Sequence, residues 1–109
     1  MPGDAVLLRA FIGDDDTFED GPLSEAILAE ARRRGMAGAT ALRGLAGYGE
    51  SAALHSVSGI FSQDLPVVIE IIDCEAKVEA FIPVLESMMN GGLLTTQPVH
   101  VVRALRKPA

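Results

Sequence analysis

Residues 38–72 read GATALRGLAGYGESAALHSVSGIFSQDLPVVIEII, and this stretch decides the fold of the 109-residue chain. Its aliphatic ends predict two strands, whereas its polar middle shows no apolar period. Gly44, Gly47 and Gly49 stand where the first strand ends, and glycine lets a backbone approach a ligand closely. Segments of about 15–18 residues without regular structure are uncommon in small domains and are usually functional or disordered. We interpret residues 46–64 as the working tip of a long hairpin; a surface loop without a role is the alternative.

Composition and charge limit the class of protein. Hydrophobic residues make up 49% and aromatic residues 5% of the chain, which predicts one domain, residues 1–109, with an aliphatic core. The net charge of −6 argues against nucleic-acid binding, since neutralising phosphates needs a basic surface. The single cysteine, Cys74, excludes a disulfide within the chain and favours a reducing, cytoplasmic location. The sequence shows neither a signal-peptide pattern nor an apolar run long enough to cross a bilayer.

Two strand–helix–strand units follow one another along the chain. The predicted elements are a strand over 5–12, a helix from Pro22 to Gly35, a strand over 37–45, a strand over 65–72, a helix between Asp73 and Asn90, and a strand over 99–105. Asp73 is the N-cap candidate of the second helix, and Pro83 should kink or restart that helix. This order predicts an α+β, ferredoxin-like double βαβ sandwich, with a four-stranded antiparallel sheet and both helices on one face.

The predicted sheet has a second face that no helix covers. Both faces of the first and third strands are largely apolar. On the first strand, one face would carry Leu8, Ala10 and Ile12 and the other Leu7, Arg9 and Phe11; on the third strand, Val67, Ile69 and Ile71 alternate with Val68, Glu70 and Ile72. An uncovered apolar sheet face marks an interface. We therefore expect a closed homo-oligomer in which the sheets face inward.

No catalytic or metal-binding motif stands out. The run from Asp14 to Asp16 lacks the ligand spacing of a calcium loop and is more typical of a solvated turn. His55, Cys74 and His100 lack zinc-ligand spacing, and His100 can instead pair with Glu70 across the buried face. An enzyme that uses His55 and Asp64 as acid and base is the least favoured function, because a mobile loop gives no fixed geometry.

The ordered set of motifs resembles the PII-like signalling proteins, and in particular their branch of small uncharacterised bacterial and archaeal members. The resemblance covers nearly the whole chain. It is carried by Gly38-Ala39-Thr40, Arg43-Gly44, Gly47-Tyr48-Gly49, residues 64–71 (DLPVVIEI), residues 81–85 (FIPVL) and the glycines after the second helix.

This resemblance implies a non-enzymatic, homotrimeric regulator that needs no cofactor and binds an adenine nucleotide in clefts between its subunits. The hairpin at 46–64 would correspond to the T-loop, which contacts a partner protein, often a membrane transporter. The implied nucleotide-binding residues are Thr40, Gly47, Tyr48 and Gly49 at the loop base, Glu70 and Ile72 near the adenine, Gly92, Leu93, Leu94, Thr95 and Thr96 in a second binding turn, and Arg103 as a phosphate contact.

Two departures from the resembled family bear on the ligand. Classical PII proteins carry lysines beside the Leu-Pro turn and in the second glycine loop, where this chain has Val67 and Gln97. The loss of positive charge favours AMP, ADP or a cyclic nucleotide over ATP. A trimeric metal-tolerance or scaffold protein of similar fold, without nucleotide binding, is the alternative function.

Overall fold

The structure is a computed structural model that describes residues 3–47, 55–56 and 65–105. Most of the predicted loop, including Tyr48 and Gly49, therefore lies outside the described residues. The strands are β1 (Gly3–Gly13), β2 (Thr17–Phe18), β3 (Gly21–Pro22), β4 (Gly38–Arg43), β5 (Ala46–Gly47), β6 (His55–Ser56), β7 (Pro66–Asp73) and β8 (Leu93–Val101), and the helices are α1 (Leu23–Arg33) and α2 (Glu75–Met88).

The main sheet has four strands in the order β4-β7-β1-β8. Each neighbouring pair is antiparallel, so that β1 lies between β7 and β8, and β7 lies between β4 and β1. The strands of each βαβ unit are thus separated by one strand of the other unit. This arrangement confirms the predicted ferredoxin-like α+β fold.

The aliphatic core lies between the sheet and the two helices. One face of β1 and β7 supplies Leu8, Ala10, Ile69 and Ile71, each with no more than 1% of its surface exposed. The helices bury Leu23, Ile27, Ala31, Val78, Phe81 and Leu85 against them. Burying each large aliphatic or aromatic side chain contributes about 1.5–3 kcal/mol, so this layer is the main source of stability.

The helix boundaries follow backbone chemistry, and one of the predicted caps is wrong. Helix α1 starts directly after Pro22 and is followed by Gly35, whose φ of +72° suits a chain reversal. Helix α2 has Cys74 as its N-cap, because Asp73 is still the last residue of β7. The Asp73 carboxylate instead accepts hydrogen bonds from the N–H groups of Ala37 and Cys74. Pro83 lies within α2, which continues through it from Glu75 to Met88.

The predicted last strand, 99–105, is also wrong. Strand β8 runs from Leu93 to Val101 and pairs with β1 along its whole length. Two consecutive β-branched threonines, Thr95 and Thr96, favour an extended chain. Pro98 is tolerated because β8 is an edge strand and needs no second set of ladder hydrogen bonds. Leu93 to Thr96 therefore form strand rather than the predicted binding turn.

The sheet face opposite the helices, which we call the open face, is assigned by the strand register. Its described side chains include Leu7, Arg9 and Phe11 on β1, and their paired neighbours on the other strands point the same way. Ala5 and Leu7 of β1 are buried on this face, whereas several large apolar side chains on it are exposed. These exposed residues are Phe11, Leu42, Ile72 and Leu93.

Candidate functional site

A row of polar side chains crosses the open face. Thr40 of β4 pairs with Glu70 of β7, Glu70 pairs with Arg9 of β1, and Arg9 pairs with Thr95 of β8. Paired residues on neighbouring strands lie on the same face of a sheet. The fold thus brings Thr40, Glu70 and Thr95, three residues of the predicted nucleotide-binding set, into one line with Arg9.

Arg9 and Glu70 form the centre of this row. The Arg9 Nε donates a hydrogen bond to Glu70 Oε2 at 2.9 Å, and Arg9 Nη1 donates one to Gln97 Oε1 at 3.2 Å. Both charged side chains are about one-third exposed, at 35% and 30%. The expected pairing of Glu70 with His100 is wrong, since His100 lies 3.8 Å from Asp4 Oδ1 near the other end of β8.

The two roots of the long segment meet at one end of the sheet. The Gly44 N–H donates to the Pro66 carbonyl at 2.7 Å, which closes the end of the β4–β7 ladder. A Cβ added to Gly44 would lie 2.8 Å from Pro66 Cγ, and one added to Gly47 would lie 3.2 Å from it. Glycine is therefore required at Gly44 and favoured at Gly47 by the proline ring, whether or not a ligand binds there.

Asp14 contacts both roots of the long segment. Its backbone N–H donates to the Leu65 carbonyl at 2.8 Å, and its carboxylate accepts from Arg43 Nη2 at 3.3 Å. Asp16 Oδ2 accepts from the Gly13 N–H at 2.9 Å. The acidic run thus forms a turn that holds the roots of residues 46–64.

The second glycine turn lies at the same end of the sheet but at its opposite edge. Gly91 and Gly92 have φ values of +107° and +104°, which favour glycine. A Cβ added to Gly92 would approach the Phe11 carbonyl to 2.5 Å. This close approach lets the chain turn from α2 into β8 directly above the end of β1.

The predicted nucleotide-binding residues divide into two groups within one chain. Thr40, Gly47, Glu70 and Ile72 belong to the β4–β7 side, whereas residues 93–96 belong to β8 and Gly92 directly precedes it. Strands β4 and β8 are three strand spacings apart, which is about 14 Å. Within residues 93–96 the side chains alternate, so that Leu93 and Thr95 point to the open face, while Leu94 packs against the core.

Arg103 is separated from both glycine turns in the same chain. It lies two residues beyond Val101, and Val101 pairs with Gly3 at the start of β1. The glycine turns lie at the other end of that strand. One subunit alone therefore does not bring Arg103 to the predicted phosphate site.

Sequence reasoning did not predict the contacts that Arg9, Gln97 and Asp14 make in the structure. Arg9 and Glu70 are each the charged residue inside an apolar run, 5–12 and 67–72 respectively, and this shared feature was the available signal for their pairing. Gln97 could be placed beside them only once the true bounds of β8 were known. Asp14 had no signal, because contacts across a fold are not encoded in local spacing.

The described residues show no metal site. Among residues 3–47, 55–56 and 65–105, no three histidine, cysteine, aspartate or glutamate side chains come together to hold an ion. Likewise, no helix in this part of the chain is long and apolar enough to cross a membrane.

The fold is that of the PII-like proteins. The chain superposes on CPII, a nitrogen regulatory PII-like protein from Thiomonas intermedia K12, in a structure bound to ADP, AMP and bicarbonate. The TM-score is 0.63 and the sequence identity is 20%, and the match covers 92% of this chain and 90% of the CPII chain. A second CPII structure, bound to ADP and bicarbonate, gives a TM-score of 0.60 and 21% identity, with coverage of 92% and 90%.

The sequence places the chain within one family. Residues 5–101 match the DUF190 family, described as "Uncharacterized ACR", and the chain belongs to that family. A UPF0166 protein of Aquifex aeolicus is 40% identical over 88% of this chain and 91% of its own length. A UPF0166 protein of Methanocaldococcus jannaschii is 31% identical over 91% of this chain and 93% of its own length. The resemblance to an uncharacterised PII-like branch is thereby confirmed.

Proposed function

We propose that this protein is a PII-like sensor that binds AMP or ADP and regulates a partner protein. It would act as a homotrimer in the cytoplasm, with one nucleotide in each cleft between subunits. Residues 46–64 would contact the partner, for which a membrane transporter is the leading class. Binding rather than catalysis would be its activity.

The observation that carries this proposal is the separation of the two glycine turns. Gly44 and Gly47 lie beside the β4 edge, and Gly91 and Gly92 beside the β8 edge, at the same end of the sheet and about 14 Å apart. In a closed ring with head-to-tail contacts, the β8 edge of one copy would face the β4 edge of the next. A ligand that contacts both groups is then bound between two copies.

The nucleotide is proposed from the class of fold and from charge. The CPII neighbours were bound to ADP, with AMP also present in one of them. In this chain Val67 and Gln97 replace the lysines expected from the PII pattern. Fewer cations at the site favour a ligand with fewer phosphate charges, since each phosphate needs compensation.

The regulatory step would be a population shift. The described chain reaches Gly47 at one root of residues 46–64 and resumes at Leu65 at the other, so a ligand at this root would contact the segment directly. A ligand that binds one arrangement of the segment better than another shifts the population toward that arrangement. The favoured arrangement would be the one that the partner recognises.

A thermal-shift panel of AMP, ADP, ATP and cyclic AMP, with and without Mg²⁺, tests the proposal. A ligand present at 100 times its dissociation constant adds about 2.7 kcal/mol of stability. In a domain of this size, each kcal/mol raises Tm by about 4 °C or more. No shift with any nucleotide, from a folded oligomer, would contradict the sensor function and favour a scaffold protein.

A further inference from the structure

Lysine and arginine are scarce in the part of the chain that carries the predicted nucleotide-binding residues. Apart from Arg103, all of those residues lie between positions 40 and 96. Residues 35–102 contain two such cations, Arg43 and Lys77. Arginine and lysine are the side chains that compensate a phosphate with charge-assisted hydrogen bonds. The positions of these two cations therefore decide where this chain can hold a phosphate.

Lys77 lies at the wrong end of the sheet. It donates a hydrogen bond to the Gly35 carbonyl and lies 3.4 Å from Asp73 Oδ2. Asp73 is the last residue of β7, whereas the root of residues 46–64 lies at the first residue, Pro66. The ends of this eight-residue strand are about 23 Å apart. Lys77 is thus bound to partners of its own, far from the glycine turns.

Arg43 lies at the root itself. It is the last residue of β4, and the next residue, Gly44, donates its N–H to the Pro66 carbonyl. Its side chain spans the end of β7 to reach Asp14, which directly follows β1, with Nη2 at 3.3 Å from Asp14 Oδ1. Among the residues that the structure describes, Arg43 is the cation at this root, and residues 44–76 contain neither lysine nor arginine.

The contact between Arg43 and Asp14 is of a kind that a ligand can replace. It consists of one hydrogen bond at 3.3 Å, and the two side chains are 64% and 32% exposed. Exposed ion pairs contribute little to stability. A guanidinium group has five N–H donors in a fixed plane and binds phosphate through two of them at once. A phosphate therefore offers Arg43 a stronger partner than Asp14 does.

We propose that Arg43 is the phosphate-binding residue of the loop root and that it exchanges the Asp14 carboxylate for phosphate when the ligand binds. This inference rests on the proposed function, because it concerns the same site. The bond from the Asp14 N–H to the Leu65 carbonyl, at 2.8 Å, is not part of the exchange. The fold of the root is thus kept while its side-chain link opens. Asp14 competes with the ligand and sets the concentration at which the site fills.

Isothermal titration of ADP into three variants tests the exchange. Arg43→Gln removes the cation and should weaken binding roughly 10- to 100-fold. Arg43→Lys keeps the charge but loses the planar pair of donors, so its affinity should lie in between. Asp14→Asn removes the competing charge and should tighten binding about two- to fivefold. Circular dichroism checks that each variant is folded.

The double variant Asp14→Asn/Arg43→Gln separates competition from a general effect of charge. If Asp14 acts through Arg43, the double variant binds ADP as weakly as Arg43→Gln alone. The control for charge is Asp20→Asn, at an exposed position between β2 and β3. The control for loss of an arginine is Arg34→Gln, which breaks the ion pair with Glu30 at 2.7 Å near the end of α1. Both controls should bind like the parent protein.

Two results would overturn the inference. One is an Arg43→Gln variant that binds ADP as tightly as the parent protein. The other is an Asp14→Asn variant whose affinity is unchanged or lower, because no competition would then be relieved.

Inorganic pyrophosphate keeps this inference and the sensor function distinguishable. Its titration is followed by the NMR signal of the Arg43 Nε–H group, assigned by its absence in Arg43→Gln. A shift of this signal, with no nucleotide stabilising the protein, would support the inference and contradict the sensor function. ADP binding that is insensitive to Arg43 would do the reverse. An Arg43 signal that moves with neither pyrophosphate nor ADP would overturn the inference.

Discussion

The carboxylate of Asp73 accepts a hydrogen bond at 2.8 Å from the backbone N–H of Ala37, 36 residues earlier in the chain. Its other oxygen accepts from the Cys74 N–H at 2.7 Å. Lys77 lies 3.4 Å from the same carboxylate and donates to the Gly35 carbonyl at 2.5 Å. The buried Asp73 thus fastens the α1–β4 connection to the start of α2 and sets where β4 enters the sheet.

Replacing Asp73 should destabilise the fold. Asp73→Ala leaves the N–H groups of Ala37 and Cys74 without their acceptor, and we expect a loss of about 2–3 kcal/mol in the free energy of unfolding. Asp73→Asn keeps one acceptor oxygen and should lose less. Urea denaturation measures both changes. Asp20→Asn, at an exposed position between β2 and β3, is the control; equal losses in all variants would contradict this role.

Stability should fall in acid partly because of Asp73. Burial raises the pKa of the Asp73 carboxyl, but the hydrogen bonds from Cys74 and Ala37 and the nearby Lys77 outweigh it, so the pKa is lowered on folding. The unfolded state, with a pKa of about 3.9, therefore takes up the proton first. The contribution is complete above that pH and is lost as pH falls through the folded pKa.

The measurement is the difference in unfolding free energy between the parent protein and Asp73→Asn from pH 7 to pH 2.5. This difference should shrink as the pH falls. Glu30 shifts in the same direction, because hydrogen bonds from Arg33 and then Arg34 lower its pKa to about 2. Both proteins should therefore carry Glu30→Gln. A pH-independent difference would show that Asp73 does not act through its charge.

Gly92→Ala should be strongly destabilising. Its φ of +104° is unfavourable for alanine, and the new Cβ would lie 2.5 Å from the Phe11 carbonyl. We expect a loss of about 2–4 kcal/mol, seen as a lower urea midpoint. Gly38→Ala is the matched control, since a Cβ there meets nothing within 4 Å. Similar losses in both variants would mean that the close approach to Phe11 is not the cause.

Pro83→Ala should stabilise the protein. Pro83 is exposed inside α2, where it cannot donate a hydrogen bond to the carbonyl of Glu79. Alanine restores that donor in the helix, and we expect Tm to rise by several degrees. Glu86→Ala, another exposed position on the same helix, shows the effect of alanine alone. A lower Tm for Pro83→Ala would mean that the shape set by proline is needed for packing.

Mixed oligomers can test whether the nucleotide site lies between two copies. Thr40→Glu and Thr96→Glu each place a carboxylate in one group of the predicted site, so each variant alone should lose binding of the anionic ligand. After unfolding and joint refolding, a mixture should regain a fraction of the sites. In these sites, the intact β8 group of one copy would face the intact β4 group of another.

Isothermal titration of the mixture, against each variant alone, counts the recovered sites. Thr40→Val and Thr96→Val control for the loss of the hydroxyl groups without added charge. A mixture that binds no better than its components would mean that each site lies within a single chain.

The fold was largely predictable because it depends on local patterns. The apolar runs around Leu8 and Ile69, the helical spacing of Val78 and Phe81, and the glycines at the helix ends gave the order of the elements. The errors arose where two local tendencies competed. At Thr95 and Thr96, β-branching outweighed the turn tendency of the preceding glycines, and an edge position made Pro98 acceptable within the strand.

The candidate site was less predictable because it depends on register and on contacts between distant segments. The pairing of Arg9 with Glu70 needs the alignment of β1 with β7, which no single strand determines. The double contact of Asp14 joins three segments that are far apart in the chain. The predicted nucleotide-binding positions Tyr48 and Gly49 lie outside the described residues and stay predictions.

The anchoring of Gly44 to Pro66 and of Leu65 to Asp14 has an evolutionary consequence. Because both attachment points are held by contacts within the domain, the sequence between them can diverge without remodelling the sheet. Doubling the length of a flexible loop costs only about 0.6 kcal/mol in closure entropy. The residues between these two points can therefore be replaced or lengthened at little cost in stability, and foreign peptides can be grafted there.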